Sequence, residues 1–255
     1  MCETCRDLSL QSLRSSRRRI LQLAVAGIGL SLAQAAHARD TKKTTKKNAK
    51  DAKSPPKPQN VLTADESLAR LLEGNARYVD GTARRHDFVK EREPLVGGQN
   101  PYAAILSCAD SRIAPEYAFD TGRGDVFVCR VAGNFAADET IASLEYAVSV
   151  LNTPLILVLG HDACGAIDAT IKSLKDNTTL PGHLPSLVTA LAPAVKAVSQ
   201  QGGDTLANAI KQNVVDTVAK LRSATPILSE AVAKDKLKVV GGIYRLKDGR
   251  VDLVG

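Results

Sequence analysis

The chain contains no tryptophan, a single methionine and only 4% aromatic residues, so a core must be built mainly from Ala, Val, Leu and Ile. Its 255 residues are enough for one or two domains, and a hydrophobic share of 44% is ample for a packed core. The chain also lacks an evenly spread positive charge. Residues 1–60 hold 13 Lys and Arg against four acidic residues, which leaves a net charge of about −2 on residues 61–255. That larger part therefore carries no electrostatic footprint for DNA or RNA.

The N-terminus has the parts of an export signal. The paired residues Arg17 and Arg18 precede an apolar run at 23–36, which ends in an Ala-x-Ala cleavage pattern. The run is about 14 residues long, shorter than the roughly 20 that a membrane-spanning helix needs, which favours a cleaved signal over an anchor. The arginine pair resembles the twin-arginine type, although Ile20 stands where Phe is often found. We therefore expect residues 1–38 to be a signal peptide that directs the protein to the periplasm.

Residues 39–60 are rich in Lys, Thr and Pro and show no hydrophobic period. Such a segment cannot bury enough apolar surface to offset the entropy lost on ordering. We expect a disordered basic linker that serves as a solvated tether, with contact to anionic lipid or cell wall as the alternative. A single folded catalytic domain is then expected over residues 61–255.

Strand-like and helical patterns alternate along this domain. A capping box at 63–66 and apolar residues at helical spacing predict a first helix, which ends near Val79 and is suited to act as an arm. Four short apolar runs are typical of buried strands: 102–106, 126–131, 155–159 and 237–240. Further helices are predicted at 141–151, 186–200 and 206–221, and Pro193 should bend or break the second of these. Residues 243–246 and 250–253 predict a closing hairpin.

Strands that are buried on both faces and separated by helices pair in parallel with right-handed crossovers. The sequence therefore predicts an α/β fold, in which helices flank a central, mainly parallel β-sheet and an N-terminal helical arm precedes it.

Two short segments with metal-ligating residues directly follow predicted strands. In the first, Cys108, Asp110 and Arg112 alternate along the chain, so an extended backbone places them on one face. In the second, His161 and Cys164 are three residues apart and share a face if a helical turn begins there. Open parallel sheets bind ligands beyond the carboxyl ends of their strands, so both segments are expected at one edge of the sheet.

Two thiolates and an imidazole are a ligand set that suits tetrahedral zinc. Three protein ligands with an open fourth position are typical of a catalytic site, whereas a structural site is closed by a fourth protein ligand. Either segment alone is weak evidence, because such short patterns arise by chance. Together they predict one zinc ion per chain, bound by Cys108, His161 and Cys164.

The segments CADSR at 108–112 and HDACG at 161–165 resemble the paired CxDSR and HxxCG signatures of the β-class carbonic anhydrases. The likeness covers essentially all of residues 61–255, including the RVAGN segment at 130–134. It implies reversible hydration of carbon dioxide to bicarbonate and a proton, with the Cys, His and Cys of the two signatures as zinc ligands. It also implies a homodimer or a multiple of dimers, in which the first helix contacts a neighbouring chain.

The resemblance implies roles for further side chains. Asp110 and Arg112 would form a dyad beside the zinc-bound water. Gln99 stands nine residues before the first ligand cysteine, where members of the family have a Gln that helps to bind bicarbonate. Phe127 and Tyr146 occupy aromatic positions of the family's substrate pocket, although their own sequence patterns favour packing in the core.

In such a site zinc lowers the pKa of bound water toward about 7, the value known for another carbonic anhydrase. Asp110 would orient the resulting hydroxide toward carbon dioxide, and Arg112 would keep Asp110 ionised. Two thiolates donate more charge to zinc than imidazoles do, so we expect activity to rise into mild alkali. Some members of the family close the site by letting the Asp replace water on zinc, a state associated with a Trp at the position of Ile105. We therefore expect the open form, with Asp110 as a fourth ligand only in a closed, inactive state.

Two other functions are compatible with the same residues. The same chemistry would serve a hydrolase of carbonyl sulfide or carbon disulfide, and the small residues Ala132 and Gly133 could leave room for a larger substrate. Alternatively, the zinc could merely join two strand ends in a non-catalytic protein. Asp110 and Arg112 would then be a structural ion pair.

Overall fold

The computed structural model describes residues 61–254. The signal peptide predicted at 1–38 and the linker predicted at 39–60 lie outside the described residues, and both stay predictions. Among the helices of the described part, none is both long and apolar enough to cross a lipid bilayer.

Five strands form one sheet in the spatial order β2-β1-β3-β4-β5. The strands are β1 (Ala103–Ser107), β2 (Val126–Arg130), β3 (Leu155–His161), β4 (Lys238–Tyr244) and β5 (Val251–Val254). The first four run parallel, and β5 pairs antiparallel with β4. Every residue of β1 and β3 is buried, which explains why both segments are continuous apolar runs. The predicted α/β fold with a mainly parallel sheet is confirmed.

Helices flank this sheet. Those described are α1 (Ala64–Val79), α2 (Arg92–Leu95), α3 (Pro115–Ala118), α4 (Asp138–Ser149), α5 (Gly165–Lys175), α6 (Leu184–Ala197), α7 (Thr205–Ser223) and α8 (Ile227–Ala233). α7 packs on β3 and β4, α4 packs on β1 and β2, and α1 contacts β3. The scarcity of aromatic residues leaves a core that is mainly aliphatic: among the largest fully buried side chains of residues 61–254, only Tyr102 and Phe119 are aromatic.

The first helix begins where its sequence predicts. The amide of Glu66 donates to the hydroxyl of Thr63 at 3.2 Å, and the amide of Thr63 donates to the carboxylate of Glu66 at 2.8 Å, which completes the capping box. Leu71 is fully buried, and the buried side chain of Asn75 bonds to backbone groups of two distant segments. The body of the helix is therefore anchored on its own chain.

One strand boundary differs from the prediction. The sequence predicts separate strands at 237–240 and 243–246, but β4 runs unbroken from Lys238 to Tyr244. Gly241 lies inside the strand because α7 packs so closely there that a Cβ would lie 2.6 Å from Val214. The closing hairpin therefore joins the end of β4 to β5.

Pro193 does not break its helix. α6 continues from Leu184 to Ala197 with Pro193 in its interior. Leu191 and Val195 on the same helix are buried in the core. Burial of this apolar face outweighs the cost of about 3 kcal/mol that proline imposes on a helix interior.

Candidate metal centre

Two neighbouring parallel strands bring the candidate ligands to one edge of the sheet. β1 and β3 pair directly, with Ser107 opposite Leu159. Cys108 is the first residue after β1, and His161 is the last residue of β3. Cys164 follows three residues later, at the N-cap position of α5. Both motifs therefore meet at the carboxyl edge of the sheet, as the sequence predicts.

The sulfur atoms of Cys108 and Cys164 and a ring nitrogen of His161 all lie within 4.8 Å of one another. All three side chains are buried, with exposures of 4%, 1% and 0% in that order. Nδ1 of His161 donates to the carbonyl oxygen of Asp162 at 2.8 Å, so in the neutral ring Nε2 is the acceptor nitrogen. Nε2 is buried and has no hydrogen-bond partner. An orphaned acceptor nitrogen beside two sulfurs fits a metal ligand.

The three groups of this triad share protons rather than ionise independently. The adjacent Cys164 thiol lowers the pKa of Cys108 strongly, against the opposing effect of burial. The sulfur of Cys108 in turn raises the pKa of Cys164. Burial lowers the pKa of His161, but the Cys108 thiolate outweighs burial and raises this pKa overall. The thiolate of Cys108 is thus present to attract a cation. A metal ion that displaces the proton of the Cys164 thiol gains a second thiolate ligand.

Beside the triad, Asp110 and Arg112 form a two-pronged ion pair. Nε of Arg112 donates to Oδ1 of Asp110 at 2.9 Å, and a terminal guanidinium nitrogen donates to Oδ2 at 2.7 Å. These hydrogen bonds hold the pKa of Asp110 far below its usual value, against the effect of partial burial, so its carboxylate is ionised. Oδ2 lies 3.9 Å from Nε2 of His161, so the carboxylate faces the triad. Arg112 also donates to the carbonyl of Ala163 at 3.1 Å, which ties the two motifs together.

Arg130 is a site residue that sequence reasoning missed. Its guanidinium donates to the backbone carbonyls of Cys108 at 3.0 Å, Asp110 at 2.7 Å and Ile113 at 2.8 Å. These contacts fix the turn that carries the first ligand and the ion pair. The available signal was the position of a basic residue at the end of β2, the neighbour of the strand that carries the motif.

The three predicted substrate-binding residues differ in how far a single chain buries them. Gln99 is exposed in the loop between α2 and β1. Phe127 and Tyr146 contact each other, with ring centroids 6.4 Å apart. Phe127 is half-buried against the core, but Tyr146 is 46% exposed, so the expectation of core packing is wrong for Tyr146. The roles of all three in binding substrate stay predictions.

An α/β protein with two thiols, an imidazole and an ionised carboxylate at the carboxyl edge of its sheet has the donor set of a metal-dependent enzyme that activates water. Comparison with known proteins narrows this class. The family model described as carbonic anhydrase matches residues 103–251, more than half of the chain. The chain is also 42% identical over 184 residues to carbonic anhydrase 2 of Mycobacterium tuberculosis, a match that covers 72% of this chain and 89% of that protein.

Solved structures agree with this match. A β-carbonic anhydrase of Coccomyxa in complex with acetazolamide is 28% identical with a TM-score of 0.57, and the match covers 73% of this chain and 86% of that one. A tetrameric β-carbonic anhydrase of the fungus Sordaria macrospora is 25% identical with a TM-score of 0.59, covering 74% and 98%. The chain therefore belongs to the carbonic anhydrase family, in its β class. The prediction that it is an enzyme of this kind is confirmed.

Proposed function

We propose that the protein catalyses the reversible hydration of carbon dioxide to bicarbonate and a proton, with one zinc ion per chain held by Cys108, His161 and Cys164. The observation that carries the proposal is the buried cluster of three ligand atoms within 4.8 Å of one another, among them an Nε2 without a partner. When bound there, zinc lowers the pKa of water, so that a nucleophile is available near neutral pH.

The side chains around the triad have separate tasks in this reaction. The ionised Oδ2 of Asp110 accepts a hydrogen bond from the attacking water and turns an oxygen lone pair toward the carbon of carbon dioxide. Arg112 binds both carboxylate oxygens, which fixes the direction of the carboxylate and keeps it ionised. Gln99 donates to a substrate oxygen as negative charge develops on it. Phe127 and Tyr146 line the apolar side of the substrate pocket.

Stopped-flow measurement of carbon dioxide hydration, on purified protein of known zinc content, tests this proposal. We expect about one zinc per chain and rapid turnover, and we expect Cys164→Ser to lose both. Cys129→Ser is the matched control, because Cys129 is a free, half-buried cysteine outside the triad, and it should keep both. Zinc-loaded protein without hydration activity would overturn the proposal. Faster turnover of carbonyl sulfide or carbon disulfide in parallel assays would instead favour a hydrolase.

X-ray absorption at the zinc edge separates catalysis from a purely structural metal. We expect two sulfur ligands, one nitrogen and one light atom from solvent. A fourth ligand from the protein at every pH would favour the non-catalytic alternative.

We also propose that the chain forms a homodimer or a dimer of dimers. β2 is an edge strand, and its residues are half-buried at most in a single chain. On α4 and just after it, Tyr146 and Val150 are 46% and 57% exposed. An edge strand beside exposed apolar side chains favours association with another copy, and the tetrameric relative from Sordaria supports this. Light scattering during size-exclusion chromatography would refute the proposal if it gave the mass of a monomer.

We further propose that the protein is exported to the periplasm by the twin-arginine route. An oxidising periplasm favours disulfide formation in competition with metal binding, so zinc is loaded in the cytoplasm before export of the folded protein. Replacement of Arg17 and Arg18 by Lys should retain the full chain in the cytoplasm, as fractionation would show. Equal zinc content after rerouting through a signal for unfolded export would disprove loading before export.

A further inference from the structure

A turn that follows β2 contacts the triad through its backbone. The amide of Gly133 donates a hydrogen bond to Sγ of Cys108 at 3.2 Å. The turn is closed by the amide of Asn134, which donates to the carbonyl of Val131 at 2.9 Å. Gly133 occupies the third position of this turn with a φ of 85°, in the left-handed region that a type II turn requires there.

The turn does not determine its own orientation. A flip of the peptide between Ala132 and Gly133 exchanges turn types with opposite signs of φ at the third position, and it points the amide hydrogen away from the sulfur. Glycine adopts both signs of φ readily, so the local chain does not choose between them. Contacts from outside the turn must hold the amide on the sulfur.

Two helices supply such contacts. Leu191 of α6 packs so closely that a Cβ on Gly133 would lie 2.8 Å from its Cδ1. From α7, Nδ2 of Asn213 donates to the carbonyl oxygen of Gly133 at 2.8 Å. Asn213 is only 4% exposed, so this hydrogen bond is shielded from water. The apolar contact with Leu191 limits space but has no direction, whereas the hydrogen bond from Asn213 holds the carbonyl of the next peptide and so fixes the position of the glycine from which the amide reaches the sulfur.

We infer that Asn213 is a positioning residue of the metal centre, which acts through Gly133 to hold an N–H group on the sulfur of Cys108. The inference rests on the proposed zinc function. An N–H donor directs the sulfur toward the ion before binding, and it withdraws electron density from the thiolate afterwards. Loss of the donor should make the thiolate a stronger electron donor. It should also speed metal release, because the sulfur is no longer held toward the ion and this loss outweighs the stronger bond.

The test compares Asn213→Leu with Asn75→Leu. Asn75 is a matched control, because it is also 4% exposed and also donates from its side chain to backbone carbonyls, but on α1. The first measurement is the rate at which zinc passes from the zinc-loaded protein to a chelating dye. The second is the thiolate-to-metal charge-transfer band of the cobalt(II)-substituted protein, which reports electron donation by the sulfurs and does not depend on activity.

We expect Asn213→Leu to release zinc about tenfold faster or more, and to move the charge-transfer band to longer wavelength. Asn75→Leu should lower only the free energy of unfolding. If Asn213→Leu is insoluble, Asn213→Ala replaces it, since it removes the donor with a smaller apolar side chain. An unchanged band and release rate, or equal changes in the Asn75 variant, would overturn the inference alone. Wild-type protein that binds no zinc, or binds it without hydrating carbon dioxide, would instead overturn the proposed function.

Discussion

The variant Asp110→Asn keeps the volume of the side chain and removes its ability to accept a proton. In the wild-type structure both carboxylate oxygens bond to Arg112, and Oδ1 also accepts from the Arg112 amide at 2.9 Å. An amide has one acceptor oxygen, so one prong of the ion pair is lost whichever way the amide is turned. The change leaves the three proposed zinc ligands untouched.

Two magnitudes decide which effect dominates. Loss of a positioned proton acceptor costs about 100- to 1,000-fold in rate, equivalent to about 2.7 to 4.1 kcal/mol of transition-state stabilisation. The loss in folding stability should be smaller, at about 1 kcal/mol or less, because the Arg112 side chain is 50% exposed and solvent screens the pair. Activity should therefore collapse in a protein that is still folded and loaded with zinc.

The assay is stopped-flow hydration with zinc content and thermal unfolding measured on the same samples. Asp168→Asn is a matched control, because it removes the same charge four residues beyond Cys164, from an exposed pair with Lys172. We expect this control to stay within about twofold of wild type. Wild-type turnover in a zinc-loaded Asp110→Asn enzyme would show that the ion pair is structural, and the catalytic argument would fail.

Three further predictions concern stability and the metal. Burial opposes ionisation of Asp120, but its 2.6 Å hydrogen bond from Arg77 lowers its pKa overall. The ionised carboxylate therefore stabilises the folded state. This stabilisation is complete above the unfolded pKa of about 3.9 and is lost as pH falls through the lower, folded pKa. Asp120→Asn should therefore lower the free energy of unfolding by about 2 kcal/mol at pH 7 and by much less near pH 3; equal losses in urea melts at both pH values would contradict this. Arg245→Met removes a 2.8 Å ion pair with Asp162, whose backbone carbonyl orients the His161 ring. Zinc release to a chelating dye should therefore be about tenfold faster. An unchanged release rate would show that Arg245 does not support the ring. A strong chelator should abolish activity but leave the far-ultraviolet circular dichroism nearly unchanged, because hydrogen-bonded pairing of β1 and β3 positions the candidate ligands; unfolding on chelation would contradict this.

The cluster of candidate metal ligands could be predicted because each part of its signal lies within a short stretch of sequence. Cys108 and His161 lie next to apolar runs whose burial on both faces marks them as inner strands, and inner parallel strands end at a common edge. Side-chain type and spacing then sufficed to name the third candidate ligand, Cys164. The same local signal predicted the start of α1, since both halves of its capping box lie within four residues.

What could not be predicted depends on contacts between distant parts of the chain. Arg130 and Asn213 act on backbone carbonyls, which every residue has, so no sequence pattern marks their partners. Gly241 reads as the end of a strand, yet it lies inside β4, where the packing of α7 leaves no room for a Cβ. Tyr146 reads as a core residue, because periodicity shows which face is apolar but not whether the same chain covers that face.

The pairing of Ser107 with Leu159 has a consequence for how this protein could be watched as it folds. The sulfur of Cys108 at the end of β1 and the ring nitrogen of His161 at the end of β3 come together only when the two strands have paired in this register. If the two strands paired two residues out of register, the sulfur and the nitrogen would be separated by about 6.6 Å. A single ion cannot bridge that distance. If cobalt(II) is added during refolding, its absorbance should therefore appear only when the central strands have paired in the correct register. The time course of this absorbance would report how fast the centre of the sheet forms.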